Sequence, residues 1–421
     1  MITIGLSCAG KAKITLSLRS PSGTTLASQQ TSCRSDDAAL SATASSSGTY
    51  SVELRETRGY HTSYTLSATT PDAGTATTTT VPSTTTTTVA APAPSTPGVS
   101  VSGNRLVNEN GAPVRLLGVN RSGTEYACAE GWGIFDGPRD AASVDAMKSW
   151  NITAVRVPLN ETCWLGINGV NPSYSGTNYR QAIGGYVSVL RSKGLIPVLD
   201  LHWSAPGTEI ALKNRFMPNM DHSPAFWASV ASYFKHDPAI VFNIFNEPRI
   251  EWTSDAAFKW SCWRDGCMTP YGWHAAGMQT LVNAVRSTGA GNVILIPGLN
   301  YANDLTGWLA YKPNDPLGQL AADFHSYNSN FCNTTTCWES KLAPVAASVP
   351  LVTGELGQND CAHGYIDGYM SWADARGVSY LGWSWNPFSC TGQPALITSY
   401  DGTPTNYGIG LRDHLRALPT A

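Results

Sequence analysis

Charge is scarce in this chain. Only 14% of its 421 residues are Asp, Glu, Lys or Arg, and the formal net charge is -3. No basic run is longer than a residue or two, so the electrostatic footprint of a nucleic-acid partner is missing. No apolar stretch is long enough to cross a bilayer. Met1-Ile2-Thr3-Ile4 carries neither the basic segment nor the apolar core of a signal peptide. Ten cysteines are present, but no Cys-x-x-Cys pair and no histidine at zinc spacing accompanies them, so no metal site is expected. Disulfides are expected instead, and they imply an oxidising compartment. The chain therefore reads as a secreted protein whose signal peptide is not part of this sequence.

What is present divides in two. Residues 75–97 are almost entirely Thr, Pro, Ala and Ser. Such a segment buries little apolar surface and favours extended, polyproline-like conformations. The expected organisation is a small all-β domain over 1–71, a linker over 72–98 and a large domain over 99–421. In the first, Ile14 to Leu18, Tyr50 to Leu54 and Tyr64 to Ala68 alternate with period two, which predicts strands and a small β-sandwich. Gly48-Thr49-Tyr50-Ser51-Val52, followed by Tyr64-Thr65-Leu66, resembles the bacterial pre-peptidase C-terminal type of sandwich.

The large domain opens with a predicted hairpin, Val99 to Val107 and Gly111 to Leu116. Eight short apolar runs follow, near 116–119, 154–157, 196–201, 240–245, 293–297, 321–324, 351–353 and 380–383. Parallel strands buried on both faces read this way. Eight such units over roughly 300 residues predict a (β/α)₈ barrel. A doubly wound sheet is the competitor, but Gly118-Val119-Asn120-Arg121-Ser122-Gly123 is not its Gly-rich phosphate loop.

Polar residues then collect at the ends of these runs. Strand 2 carries Arg156, strand 3 ends in Asp200-Leu201-His202-Trp203, and strand 4 in Asn246-Glu247. Strand 6 ends in His325-Ser326-Tyr327, strand 7 in Glu355, and strand 8 in Trp383-Ser384-Trp385-Asn386. A single glutamate after a strand can simply cap the next helix. Two, from different strands of one barrel, suggest a carboxylate pair acting across one bond, the chemistry of glycoside hydrolysis. Fourteen tryptophans, several in polar loops, fit both core packing and sugar stacking. Trp132, Trp164, Trp203, Trp263 and Trp338 are open between those roles. Trp383 and Trp385 alternate, so one is expected to face the site and the other the barrel wall, and Trp385 is taken as the sugar-facing ring.

With Asn246-Glu247-Pro248, Gly354-Glu355-Leu356-Gly357, His325-Ser326-Tyr327, Arg156 to Glu161 and Trp383-Ser384-Trp385-Asn386-Pro387 quoted, residues 99–418 resemble glycoside hydrolase family 5, a family of retaining (β/α)₈ glycosidases. The strand-8 stretch is most similar to bacterial endo-β-1,4-glucanases. The resemblance implies Glu247 as general acid/base and Glu355 as nucleophile. It implies Arg156, His202, Asn246, His325, Tyr327 and Trp385 as substrate-binding or supporting residues. It implies no metal or organic cofactor, a β-glucan substrate and a monomer. Trp203 and Trp263, spread over the loops of strands 3 and 4, are taken with Trp385 as sugar subsites along a cleft. β-Mannanase and xyloglucanase activities share the same catalytic residues and stay open, as does a non-catalytic polysaccharide-binding barrel.

The barrel also orders the cysteines. Cys262–Cys267 and Cys332–Cys337 are expected as local clips, and Cys8–Cys33 within the first domain. Cys128, Cys163, Cys361 and Cys390 allow three pairings. Loops after adjacent strands favour Cys128–Cys163 and Cys361–Cys390.

Overall fold

The structure is a computed structural model that describes residues 2–9, 13–20, 24–32, 38–43, 51–58, 63–69, 98–391 and 393–419. Its chain clusters into two compact units, Met1–Ala91 and Pro92–Ala421. Cys33 and residues 72–97, on which the first disulfide and the linker were placed, lie outside the described residues.

The first unit holds two three-stranded antiparallel sheets. One orders Ala38–Ala42, Ile2–Ala9 and Ser63–Thr69; the other orders Thr25–Ser32, Lys13–Arg19 and Ser51–Arg58. The three strands expected from alternation are present. The other three are Ile2–Ala9 and two strands rich in Ala, Ser, Thr and Gln, Thr25–Ser32 and Ala38–Ala42. Neither of the latter two carries the large β-branched and aromatic residues that mark a strand in sequence.

The second unit is a closed barrel of eight parallel strands in chain order. They are β1 Leu117–Asn120, β2 Ala154–Asn160, β3 Ile196–Trp203, β4 Val241–Asn243, β5 Ile294–Pro297, β6 Leu320–Tyr327, β7 Leu351–Gly357 and β8 Ser379–Gly382. Nearly every residue of these strands is buried, as expected for strands covered inside and out. The surrounding helices have one apolar face. Thr177–Ser192 buries Tyr179, Ile183, Tyr186, Val187 and Leu190, positions three or four apart that line one stripe.

The N-terminal end of the barrel is plugged. A small antiparallel sheet of Ser100–Ser102, Arg105–Val107 and Pro113–Val114 brings Val99 and Leu106 into one buried cluster. Its barrel members include Ala154, Val198, Val241 and Leu295. That leaves the C-terminal mouth for chemistry, the end where barrel loops build sites.

Four disulfides fix the loops at this mouth. Cys128–Cys163 joins the loops after β1 and β2, and Cys361–Cys390 those after β7 and β8, with Cα–Cα distances of 6.0 and 5.0 Å. Cys262–Cys267 and Cys332–Cys337 clip single loops. The first two are the pairings that loop adjacency favoured, and the last two are the expected local clips. Each restricts the unfolded chain and contributes about 2–4 kcal/mol. Among the described residues no helix is long and apolar enough to cross a membrane.

Candidate active site

Arg156 organises the centre of the mouth. It projects from β2, is fully buried, and donates in four directions. Its Nε bonds Asn243 Oδ1 at 2.7 Å, one terminal nitrogen bonds Asn120 Oδ1 at 2.9 Å and Glu355 Oε1 at 2.8 Å, and the other bonds Asn246 Oδ1 at 2.8 Å. The second terminal nitrogen also lies 3.0 Å from Asp200 Oδ2. Burial alone would lower its pKa, but the carboxylates of Asp200, Glu355 and Asp323 outweigh that and raise it.

Glu355 is aimed by its glycine. The β6–β7 ladder slips one residue between the Phe324↔Thr353 and His325↔Glu355 pairs, leaving Gly354 unpaired. A bulge of this kind re-aims a side chain. Gly354 donates its N–H to Asp323 Oδ1 at 2.9 Å, and a Cβ at this position would meet that oxygen at 2.5 Å. Glu355 then sits with Oε1 on Arg156 and Oε2 on the Tyr327 hydroxyl at 2.6 Å. Burial pushes its pKa up. The positive charges of His325, Arg156 and His202, with the Tyr327 hydrogen bond, more than reverse this and hold it well below the usual carboxylate range.

Glu247 follows β4 and is more open, with 19% of its side chain exposed against 5% for Glu355. Its Oε2 accepts from Asn214 at 2.9 Å, and its Oε1 lies 3.1 Å from His325 Nδ1. The same Nδ1 is 3.5 Å from Glu355 Oε2, so His325 bridges the two glutamates. Burial opposes its charge, yet Glu355, Glu247 and Asp323 raise its pKa. Facing atoms of Glu247, His325 and Glu355 lie within 4.8 Å of one another. That spacing alone would admit a cation, but the Arg156 guanidinium on Glu355 disfavours one electrostatically.

His202 completes the centre. Its Nδ1 lies 2.6 Å from Asp200 Oδ2, and its Nε2 is 3.5 Å from Asn246 Nδ2. Its ring stacks on Trp383, centroids 5.3 Å apart and planes within 9°. Burial is again outweighed, here by Asp200, Glu125 and Glu355, and the pKa is raised. Trp383, Trp203 and His202 line a cleft of about 620 Å³ together with Glu125, Tyr126 and Phe388.

The structure thus brings together Arg156, His202, Trp203, Asn246, Glu247, His325, Tyr327 and Glu355. Two expected residues are elsewhere. Trp385 is fully buried and packs edge-on against Trp150, centroids 4.7 Å apart. β8 ends at Gly382, so strand alternation does not extend to 383 and 385, and Trp383 takes the cleft position. Trp263 is also fully buried. It lies on the helix Ala256–Asp265, donates its indole N–H to Pro297 O at 3.0 Å and packs against Trp260. Of the other open tryptophans, Trp164 and Trp338 are buried anchors, while Trp132 is about half exposed.

Sequence reasoning overlooked Asn120, Asn243 and Asp323, which hold the centre together, and Asn214 and Glu125 in loops. A polar residue inside an apolar run was a usable signal for Asn243 and Asp323. Asn214 had none.

The sequence profile of the cellulases, glycosyl hydrolase family 5, matches residues 107–389. The chain belongs to glycosyl hydrolase family 5. It is a glycoside hydrolase. Its family 5 relatives are distant. A mannan endo-1,4-beta-mannosidase of Streptomyces lividans is 24% identical over 302 residues, 69% of this chain and 66% of that protein. An endoglucanase 1 of Saitozyma flava is 26% identical over 183 residues, 41% of this chain and 48% of that protein. The chain thus spans two thirds or less of the length of these two relatives. Among solved structures, a beta-glucanase from Saccharophagus degradans in complex with cellotetraose superposes with a TM-score of 0.58 at 18% identity. It covers 76% of this chain and 93% of that one. The catalytic domain of a Thermobifida fusca endoglucanase gives 0.51 at 16% identity, covering 76% and 97%. At such identities the likeness is one of fold. The family match stops at the barrel and leaves the pre-peptidase resemblance of the first unit without support.

Proposed function

We propose that this family 5 enzyme is a retaining endo-β-1,4-glucanase in which Glu355 is the nucleophile and Glu247 the general acid/base. The observation that carries the reading is the spacing of the two carboxylates. One oxygen of each lies within 4.8 Å of one oxygen of the other, and the single nitrogen His325 Nδ1 reaches both, at 3.1 and 3.5 Å, which places the pair at the short end of the range for two-carboxylate sites. Retaining pairs stand about 5–5.5 Å apart, whereas inverting pairs leave about 6.5–9.5 Å for a water molecule. The unequal surroundings agree. Arg156 and Tyr327 keep Glu355 ionised for attack on the anomeric carbon. Glu247, more open and partnered by Asn214 and His325, is placed to protonate the leaving oxygen and later to accept a proton from water. Asn246, fixed by Arg156, is placed for the sugar 2-hydroxyl. Trp383 and Trp203 offer apolar ring faces to the flat faces of β-1,4-linked glucose.

Glucan is the substrate proposed because an axial 2-hydroxyl, as in mannose, would alter the contact at Asn246 and His202. The mannosidase relative supports mannan as the second reading. Rates on carboxymethylcellulose, mannan and xyloglucan decide between them. Glucan cleavage inside the chain, with weak or no action on mannan, is expected. Faster hydrolysis of mannan, or glucose released singly from the first minutes, would overturn it. Glu355→Gln should abolish turnover, and Glu247→Gln should cost about 10²–10⁴ in rate.

The four disulfides support a secreted protein. Residues 99–421 are proposed as the whole catalytic domain, joined by a linker over 72–98 to the accessory domain 1–71. A chain beginning at Gly98 should fold and hydrolyse soluble β-glucan at nearly the full rate, and failure to fold would refute the boundary.

A further inference from the structure

Glu161 closes the stretch that begins at Arg156, is fully buried, and takes no part in the catalytic centre. A buried carboxylate is costly unless its oxygens are hydrogen-bonded. Ser223 Oγ donates to Oε1 at 2.5 Å, and Asn219 Nδ2 and the Ala205 N–H donate to Oε2 at 2.7 and 3.1 Å. All three donors belong to the segment that leads from β3 into the helix Ser223–Phe234. One stands near its start and two at its end. Between them, residues 204–222 form neither helix nor strand, so their buried backbone groups need partners from elsewhere.

The end of β2 holds the middle of the segment as well. The Ala211 N–H bonds Thr162 Oγ1 at 3.3 Å, and Ala211 O accepts from Asn160 Nδ2 at 2.8 Å. Thr162 Oγ1 in turn donates to Asn160 Oδ1 at 2.8 Å. Asn160, Glu161 and Thr162 are all fully buried, as are Ala205, Ala211 and Ser223. Three successive side chains thus grip the segment at 205, 211, 219 and 223. What the segment carries is Asn214, three residues beyond Ala211. Asn214 Nδ2 donates to Glu247 Oε2 at 2.9 Å, while its own Oδ1 is buried and accepts no hydrogen bond among the described residues. The position of this amide is therefore set by the backbone that carries it.

We propose that Glu161 is a positioning residue for proton transfer: with Asn160 and Thr162 it clamps the segment after β3 so that Asn214 holds Glu247 in line with the departing oxygen. The proposal rests on the assignment of Glu247 as general acid/base above. Releasing the clamp leaves Arg156, Tyr327 and Glu355 with all their own contacts. It frees Asn214, and with it the carboxyl group of Glu247. Proton donation to the leaving oxygen then suffers, while attack by Glu355 does not. A misplacement of about 1 Å, arising far from the chemistry, costs about 10² in rate.

The test compares two substrates on the full chain. One is a β-1,4-linked tetrasaccharide of glucose, whose leaving sugar needs a proton. The other is 2,4-dinitrophenyl β-cellobioside, whose phenolate leaves without one. The mannose counterparts replace them should the substrate panel favour mannan. For both, kcat/KM reports the first step. Glu161→Ala should lower it by about 10² on the tetrasaccharide and leave it near the parent value on the aryl glycoside. Glu161→Gln should stay near the parent on both, because its amide oxygen accepts from Asn219 and Ala205 while the Ser223 hydroxyl turns to accept. Asn214→Ala should show the same selective loss, and adding Glu161→Ala to it should cost little more, since the two act through one contact. Thr162→Val, which removes only the hydroxyl beneath Ala211, serves if Glu161→Ala does not fold. An equal fall on both substrates, no fall on either, or losses that add in full with Asn214→Ala would overturn the clamp. Glu247→Gln is the control for the reading beneath it. It should itself lose far more on the tetrasaccharide than on the aryl glycoside, and an equal loss there would overturn the acid/base assignment instead.

Discussion

Half-buried Tyr327 donates its hydroxyl to Oε2 of the buried Glu355 at 2.6 Å. The bond stabilises the ionised carboxylate and is one of the causes that lower its pKa. With Glu355 as the proposed nucleophile, its ionised form is the active one, so the acidic limb of kcat/KM is expected where this group protonates. Tyr327→Phe removes a stabiliser of the anion and should move that limb to higher pH, with a lower plateau. A pH profile of kcat/KM with the limb unmoved would argue against this role.

Arg156 pairs with both Asp200 and Glu355, at 3.0 and 2.8 Å. Removing one partner of a buried charge cluster leaves the others uncompensated, at a cost of about 3–5 kcal/mol. Arg156→Met should therefore lower the urea midpoint of the barrel by a corresponding amount as well as abolish activity. Loss of activity with unchanged stability would show that the network is less tightly coupled than its distances suggest.

Trp383 and Trp385 should separate cleanly. Trp383→Ala removes a ring that lines the cleft and should raise KM and lower kcat/KM with a small effect on stability. Trp385→Ala empties a fully buried position and should destabilise by about 3–5 kcal/mol. Urea unfolding and steady-state kinetics on both variants check this, and the opposite pattern would restore Trp385 as the sugar platform.

Glu161 is a fully buried carboxylate outside the catalytic centre. It accepts from Ser223 at 2.5 Å, Asn219 at 2.7 Å and Ala205 N–H at 3.1 Å. Burial raises its pKa to about 7, against those hydrogen bonds, from an ordinary value of 4.5. Between these values the folded state keeps a proton that the unfolded chain has lost. Stability contributed by this group is thus present at low pH and declines as pH rises through the window, by at most about 1.4 kcal/mol per pH unit. Glu161→Gln should flatten that decline between pH 5 and 7.5. Urea midpoints of parent and variant that fall in parallel would contradict it.

The barrel was legible because its strands are buried on both faces and so read as apolar runs. The two facing glutamates, Glu247 and Glu355, were legible because each ends or follows such a run. Two barrel disulfides, Cys262–Cys267 and Cys332–Cys337, followed from close spacing, and Cys128–Cys163 and Cys361–Cys390 once the loops could be numbered around the mouth. Legibility failed where alternation was carried past a strand end, as at Trp385, and where a loop position was assumed for a helical residue, as at Trp263. It also failed for Asn120, Asn243 and Asp323. Their task is to hold Arg156 and the Gly354 bulge, and it depends on neighbours contributed by distant segments.

The most direct test of the account is the anomer first released. Proton NMR on a soluble β-1,4-gluco-oligosaccharide, followed before mutarotation equilibrates the ends, reports it. Two displacements at the anomeric carbon, by Glu355 and then by water that Glu247 deprotonates, predict that the new reducing end appears first as the β-anomer. Initial release of the α-anomer would mean single displacement by water and would contradict the assignment of Glu355 as nucleophile.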